Sequence, residues 1–157
     1  MEIELLTVGK TTIKFVSEGI DEYLKRLKHY ITYRITPLPD IKKNASLNAE
    51  RQKEAEGEII LSRLQASDYV ILLDERGKEY SSIEFSDFLE KQMIAGRKRV
   101  VFVVGGPYGF SGAIYERADG KISLSRMTFN HEMVRLFFTE QVYRAMTILR
   151  GEPYHHE

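Results

Sequence analysis

Two short segments in the second half of this 157-residue chain carry the residues best suited to hold a small molecule. The first is the run Gly-Gly-Pro-Tyr-Gly at 105–109, which directly follows the apolar stretch 100–104. The second is 124–129, which follows a shorter strand-like stretch. Glycines that end a buried strand leave backbone amides and carbonyls free at the carboxyl edge of a sheet, where open α/β sheets bind ligands. The two segments therefore predict a ligand site, with His131 and Arg135 beside it.

The glycine run lacks the features of the common phosphate-binding loops. No Gly-Lys-Ser/Thr follows at Walker spacing, and Pro107 stands where a dinucleotide fingerprint has its second glycine. This favours a nucleoside ligand without phosphates, such as S-adenosylmethionine, held by backbone groups and apolar walls. A Gly-Gly turn after a strand is most often only a turn, and each candidate wall residue is also an ordinary core residue. Those candidates are Leu73, Leu124, Met127 and Phe129.

His131 and Arg135 lie one turn apart on the same side of the last predicted helix. His131 could act as a general base, donate a hydrogen bond to a substrate, or be only a polar residue of the first helical turn. Asn130 is the predicted helix cap, and Glu132 complements the positive end of the helix dipole. Next to two ligand loops, the histidine and the arginine form a candidate RNA-facing pair.

The elements that must position these residues alternate along the chain. Apolar runs predict strands at 3–8, 33–39, 69–73, 100–104 and within 122–129. Helical spacing predicts helices after Thr11 or Thr12, at 49–64, after Ser81 or Ser82, shortly before 122, and at 133–149. We further expect a polar loop at 42–47 and a turn at 74–78. This order predicts an α/β fold with a mostly parallel sheet and helices on both faces, in one domain over residues 1–157.

Composition excludes several kinds of protein. The chain has no cysteine, which excludes disulfides and thiolate chemistry and suits a reducing cytoplasm. No His/Asp/Glu cluster has metal-ligand spacing, so no metal is implied. No stretch approaches the ~20 apolar residues that span a bilayer, and the N-terminus is not a secretion signal. We expect a cytoplasmic protein without a membrane partner.

The charge pattern bears on the choice of partner. A net charge of zero argues against a general polyanion binder, including a DNA-binding protein. Acids dominate between residues 40 and 90, and bases lead from residue 97 onward. This is either ordinary surface charge or a locally basic face near the ligand loops that could meet RNA.

The last predicted helix carries more apolar residues than one core face needs. Either a second copy of the chain covers the excess, which gives a homodimer, or the rest of the domain does. In the tail that follows, the pair Tyr154 and His155 is a candidate substrate contact, although the tail superficially resembles a cloning remnant. The helix residues concerned are Val134, Leu136, Phe137, Phe138, Val142, Tyr143, Ala145, Met146, Ile148 and Leu149.

Taken together and in order, several motifs resemble a family of bacterial 23S rRNA methyltransferases that modify N3 of a pseudouridine, within the SPOUT superfamily. The resemblance runs essentially end to end. Two positions depart from the family pattern: Asn130 replaces a proline, and His156 replaces an arginine or lysine. The motifs are Leu-Thr-Val-Gly-Lys at 6–10, Leu-Asp…Gly-Lys at 73–78, the glycine run at 105–109, 124–129 with His131, 140–145 and 150–155.

The resemblance implies a deep trefoil knot at about 100–150 and a homodimer whose active site combines residues of both subunits. It implies that S-adenosylmethionine binds in a bent conformation. Its substrate would be a pseudouridine in a 23S rRNA stem-loop at the subunit interface of the assembled ribosome. The implied donor-binding residues are Leu73, Gly105, Gly106, Gly109, Leu124, Ser125, Arg126, Met127, Thr128 and Phe129.

In the implied reaction, N3 of the base attacks the sulfonium methyl group, and catalysis comes largely from holding the two in line. A neutral protein is better suited to a substrate read by shape on a complete ribosome than to free RNA gripped through phosphates. Two other hypotheses remain: a non-catalytic ribosome-binding factor of the same fold, and a SPOUT methyltransferase acting on another RNA site. The candidate catalytic residues are His131, Arg135, Arg144, Tyr154 and His155.

Overall fold

A central five-stranded sheet organises the computed structural model, which describes residues 1–41 and 48–156. The strand order is β2-β1-β4-β3-β5, and every neighbouring pair is parallel. The predicted α/β class and parallel sheet are therefore confirmed, whereas the polar loop expected at 42–47 lies outside the described residues. The strands are β1 (Glu2–Val8), β2 (Thr32–Leu38), β3 (Tyr69–Glu79), β4 (Arg99–Val104) and β5 (Gly120–Ser123).

Helices cover both faces of this sheet, as the sequence pattern predicts. On one face, Phe102 of β4 packs against Phe138, with ring centroids 4.6 Å apart. On the other, Val101 and Val103 pack in a second core with Ile60. Because β4 is buried on both sides, it reads in the sequence as an unbroken apolar run. The helices are α1 (Lys14–Leu27), α2 (Ala49–Arg63), α3 (Ser82–Ile94), α4 (Gly112–Arg117) and α5 (His131–Leu149), with α1, α3 and α5 on the Phe102 face and α2 and α4 on the other.

The turn predicted at 74–78 is wrong, because β3 continues through it to Glu79. The strand bends at a register shift after Leu73, and then Lys78 pairs with Ile122 of β5. A Cβ on Gly77 would lie 2.5 Å from the carbonyl carbon of Ile122, so only glycine permits this approach. The exposed half of β3 is polar, which hides the strand from a search for apolar runs.

The remaining element boundaries also sharpen the prediction. Strand β5 ends at Ser123, so residues 124–129 form a loop rather than strand. Helix α5 begins at His131, and the predicted cap is confirmed, because the Asn130 side chain accepts the Glu132 N–H at 2.9 Å. Neither Thr11 nor Thr12 caps α1 through its side chain.

Helix α5 packs between α1 and α3, so its own chain covers most of its apolar circumference. Phe138 and Val142 are fully buried, and of its large apolar side chains only Phe137, 41% exposed, lies open. Burial within the domain therefore accounts for most of the apolar excess that the sequence pointed to. Within the described residues, no helix is long and apolar enough to cross a membrane.

Candidate functional site

A cavity of about 500 Å³ lies where the chain leaves β4 and β5 and where β3 bends. Nine of the ten residues expected to hold a methyl donor line it. The exception is Arg126, whose side chain is 88% exposed and whose Nε lies 3.7 Å from Glu79. Its loop neighbours Ser125 and Met127 both line the cavity. The nine are Leu73, Gly105, Gly106, Gly109, Leu124, Ser125, Met127, Thr128 and Phe129, and His131 lies beside them at the rim.

The loop after β4 is held in a tight turn. The Gly109 N–H donates to the Gly106 carbonyl at 3.1 Å, and Gly109 has φ +82°, a conformation that favours glycine. A Cβ on Gly105 would meet the buried Phe110 ring at 3.1 Å. The loop therefore brings bare backbone to the cavity wall, as the sequence predicts.

The loop after β5 is ordered by its own serines. The Ser123 hydroxyl donates to the Ser125 carbonyl at 3.0 Å, and the Ser125 hydroxyl accepts the Met127 N–H at 2.9 Å. Phe129 packs on Phe137 of α5, with ring centroids 5.0 Å apart. Met127 remains 77% exposed, so this wall of the cavity is open to solvent in a single chain.

Sequence reasoning missed a tyrosine and an acid that meet at the cavity edge. The Tyr115 hydroxyl of α4 donates to the Asp74 carboxylate, and both residues line the cavity. Partial burial and this hydrogen bond raise the pKa of Tyr115 to about 12, so the tyrosine stays a neutral donor at physiological pH. Nothing in the local sequence of α4 distinguishes Tyr115 from an ordinary surface residue.

The prediction that Arg135 faces RNA is wrong for this chain, because the side chain is only 1% exposed. Its guanidinium donates to the carbonyls of Val8 and Gly9 at 3.0 and 3.1 Å, and to the Thr11 hydroxyl at 3.0 Å. Burial lowers the pKa of Arg135, and the nearby Glu132 carboxylate opposes that effect. Arg135 therefore holds the chain segment after β1 in place. It lies one helical turn after His131, which is exposed.

Glu132 performs a capping role that spacing does not reveal. Its carboxylate accepts the backbone N–H groups of Thr12 and Ile13 at 2.5 and 2.9 Å, and the Thr12 hydroxyl at 2.8 Å. It therefore caps α1 rather than serving only its own helix. Burial alone would raise the pKa of Glu132, but these hydrogen bonds and the charge of Arg135 hold it below its usual range.

The remaining candidate catalytic residues lie together at the other end of α5. Arg144 donates to Glu140 Oε1 at 2.6 Å, and the Tyr154 hydroxyl donates to the same oxygen at 3.0 Å. Arg144 also lies 3.3 Å from His155 Nδ1. Because Arg144 is 13 positions beyond His131 on one helix, the cluster is about 20 Å from the cavity of its own chain. We call Arg144, Tyr154 and His155 the tail cluster.

Comparison with known proteins identifies the family. A family model described as "Predicted SPOUT methyltransferase" matches residues 1–155. The chain belongs to the SPOUT methyltransferase family. Members of this family use S-adenosylmethionine as methyl donor.

Full-length relatives agree with this membership. A Porphyromonas gingivalis protein is 59% identical and a Parabacteroides distasonis protein 57% identical, each over 157 residues and the whole of both chains. A Christiangramia forsetii protein is 56% identical over 156 residues, 99% of each chain. All three are named "Ribosomal RNA large subunit methyltransferase H". The SPOUT resemblance predicted from the sequence is therefore confirmed.

Across 1–41 and 48–156, no group of three or more His, Asp or Glu side chains is arranged to hold an ion. The cavity instead combines backbone groups, hydroxyls and apolar walls, a mixture suited to an organic ligand.

Proposed function

We propose that this protein transfers the methyl group of S-adenosylmethionine to N3 of a pseudouridine in 23S rRNA. The observation that carries the proposal is the cavity formed by the two glycine- and serine-rich loops in a full-length SPOUT chain. The names of the relatives at 56–59% identity support large-subunit rRNA as the substrate.

The cavity suits this donor in size and chemistry. Its volume of about 500 Å³ is within the ~300–1,000 Å³ range of small-molecule sites. Leu73, Leu124 and Phe129 would give the adenine apolar walls, and the loop at 105–109 would give backbone hydrogen-bonding groups. Asp74 lies where it can offset the positive charge of the donor.

Catalysis in this account is mainly positional. The N3–carbon bond forms as the carbon–sulfur bond breaks, the sulfur keeps the bonding electrons, and the N3 proton leaves. Holding N3 and methyl in line can supply up to ~7–11 kcal/mol of the barrier in ideal cases. His131 is exposed at the cavity rim, where it can accept the proton directly or through water.

The tail cluster requires a second copy of the chain to reach a donor cavity. About 20 Å of α5 separates it from the cavity beside His131. We therefore propose a homodimer in which the tail cluster of one subunit orients RNA over the donor cavity of its partner. The exposed Phe137 and a second cavity of about 370 Å³ beside it offer an apolar contact surface for that partner.

Mixing two inactive variants tests this shared site. Thr128→Trp fills the donor cavity, and Arg144→Ala removes an RNA contact. Mixed dimers contain one site with both parts intact, so activity should reappear after the subunits exchange. Absence of recovery from two folded, dimeric variants would mean that each chain acts alone.

The substrate is proposed to be the assembled ribosome, read largely by shape. The chain has zero net charge, so it lacks the excess of cations that grips free RNA through many phosphates. Ribosomes place the reaction in the cytoplasm, and SPOUT membership supports the knot proposed at about 100–150.

Modification in cells tests the activity itself. N3 methylation blocks the Watson–Crick edge, so reverse transcription of 23S rRNA should stop at the modified base. Expression of the wild-type chain in a strain lacking the modification should restore the stop, and Thr128→Trp should not. Restoration by Thr128→Trp would favour a non-catalytic factor, and a stop at another position would favour a different RNA site.

A further inference from the structure

A carboxyl group that the proposed reaction does not use lies directly behind the loop at 105–109. Glu56 of α2 is 4% exposed. Its Oε1 accepts a hydrogen bond from the Gln52 amide at 3.2 Å, and its Oε2 has no partner within residues 1–41 and 48–156. Glu56 does not line the cavity; it lies on the other side of the loop that does.

The loop lies against this carboxyl group. A Cβ on Gly106 would be 2.5 Å from Oε2 and 2.7 Å from Oε1 of Glu56, closer than side-chain carbons approach. The next residue of α2 is equally close, because a Cβ on Gly57 would lie 2.5 Å from the Ser111 hydroxyl. Helix α2 thus packs closely against residues 106–111 and determines the position of Gly106 at the cavity wall.

The other buried carboxyl groups in the described part of the chain are compensated. Glu4 and Asp68 both accept hydrogen bonds from the Arg99 guanidinium, and Glu132 accepts three donors at the start of α1. Glu56 has a single neutral donor. A buried carboxylate without a cation is costly, so stability does not explain an acid at this position.

The charges nearest Glu56 leave it uncompensated. Burial raises the pKa of Glu56, and the negative charge of Asp40 adds to that effect. Lys53, one turn before it on α2, lines the cavity and forms an ion pair with Glu50 at 2.8 Å. No described cation pairs with Glu56, so a cationic ligand on the far side of the loop would stabilise its ionised form more than a neutral ligand would.

We propose that Glu56 positions the loop at 105–109 and uses its charge to favour the cationic methyl donor over the demethylated product. The inference rests on the proposed use of S-adenosylmethionine. Transfer removes the positive charge of the sulfonium and leaves a neutral thioether, while the rest of the molecule is unchanged. A carboxylate beside this wall therefore stabilises donor more than product, which also helps the product to leave.

The expected size follows from distance. A ligand atom touching Gly106 is within roughly 8 Å of the Glu56 carboxylate, and Coulomb interaction at that distance in a partly screened protein site favours a cation by about tenfold. The charge of Glu56 should therefore change the ratio of the affinities for the methyl donor and for the demethylated product. A purely structural role would change both affinities together.

Calorimetric titration of the full-length protein with S-adenosylmethionine and with S-adenosylhomocysteine tests the proposal. Glu56→Gln should weaken donor binding about tenfold and leave product binding within twofold, and Glu54→Gln, which removes an exposed charge from the same helix, should change neither. Because Glu56→Gln removes an unpaired buried charge, its melting temperature should equal or exceed that of the wild type.

Three results would overturn the inference. One is an unchanged donor-to-product ratio in Glu56→Gln, whether both affinities fall or neither does. Another is a Glu56→Gln chain that fails to fold. The third is a wild-type protein that binds neither ligand, which would refute the proposed function as well; the first two leave that function standing.

Discussion

Arg135→Ala should damage the fold far more than it damages any direct contact with RNA. The side chain is 1% exposed, and its guanidinium holds the carbonyls of Val8 and Gly9 together with the Thr11 hydroxyl. Truncation removes the Arg135 donors from the Val8 carbonyl and the Thr11 hydroxyl, leaves the Gly9 carbonyl with the Thr7 hydroxyl at 3.1 Å, and opens a void between α5 and the end of β1.

The magnitude follows from those lost contacts. Each group left without its charged donor costs about 1–3 kcal/mol, and Arg135 donates to three groups. A domain of this kind has roughly 5–15 kcal/mol of total stability. We therefore expect Arg135→Ala to lower the free energy of unfolding by about 3–5 kcal/mol and to yield a protein that unfolds well below the wild-type temperature.

Urea unfolding and donor binding measure the effect, with Arg144→Ala as the matched control on the same helix. Arg144 is partly exposed, and its ion pair with Glu140 contributes about 1 kcal/mol at most. Arg144→Ala should keep stability and donor binding but lose methyl transfer. If Arg135→Ala instead unfolds within about 1 kcal/mol of the wild type while methyl transfer disappears, the structural assignment of Arg135 is refuted.

Three further outcomes follow from the same contacts. Gly106→Ala should weaken donor binding about tenfold, because its methyl group would lie 2.5 Å from Glu56 Oε2, whereas Gly112→Ala, with nothing within 4 Å, should bind normally in calorimetry. Because the Glu132 pKa is lowered on folding, its stabilisation is present above the unfolded value of ~4.3 and lost below the folded value. The melting-temperature deficit of Glu132→Gln should therefore shrink as pH falls from 7 to 3. Phe137→Glu should give monomers in light scattering that bind donor but do not methylate ribosomes; an active dimer would exclude this surface as the contact.

The position of the cavity could be predicted from the sequence because parallel strands bring their carboxyl ends to one edge of a sheet. The loops after β4 and β5 are close together in the sequence and in space. Their glycines and serines identify them as loops with free polar groups. The same reasoning places the Leu73 end of β3 beside them. Local signals and one topological rule therefore suffice for this part of the site.

The direction of a helical residue is harder to predict. Spacing puts His131 and Arg135 on one side of α5, but it does not say how that side tilts against β1. In the fold His131 lies at the surface and Arg135 lies one turn deeper, under the start of α1. One helical turn therefore separates the exposed His131, a candidate proton acceptor, from the buried Arg135, a structural cation.

Contacts between distant parts of the chain escape the sequence altogether. Glu132 caps a helix about 120 positions earlier, and Tyr115 meets Asp74 about 40 positions away. The Glu56–Gly106 contact joins α2 to the loop after β4. Each pair depends on how a helix packs against another part of the fold, which no local pattern encodes.

Transfer of labelled methyl from S-adenosylmethionine to purified ribosomal particles tests the central claim most directly. The particles come from a strain that lacks the modification and comprise assembled ribosomes, separated subunits and protein-free 23S rRNA. The account predicts label on a single pseudouridine of 23S rRNA, with assembled ribosomes as the efficient substrate. A protein that binds the donor yet labels none of these particles would contradict it.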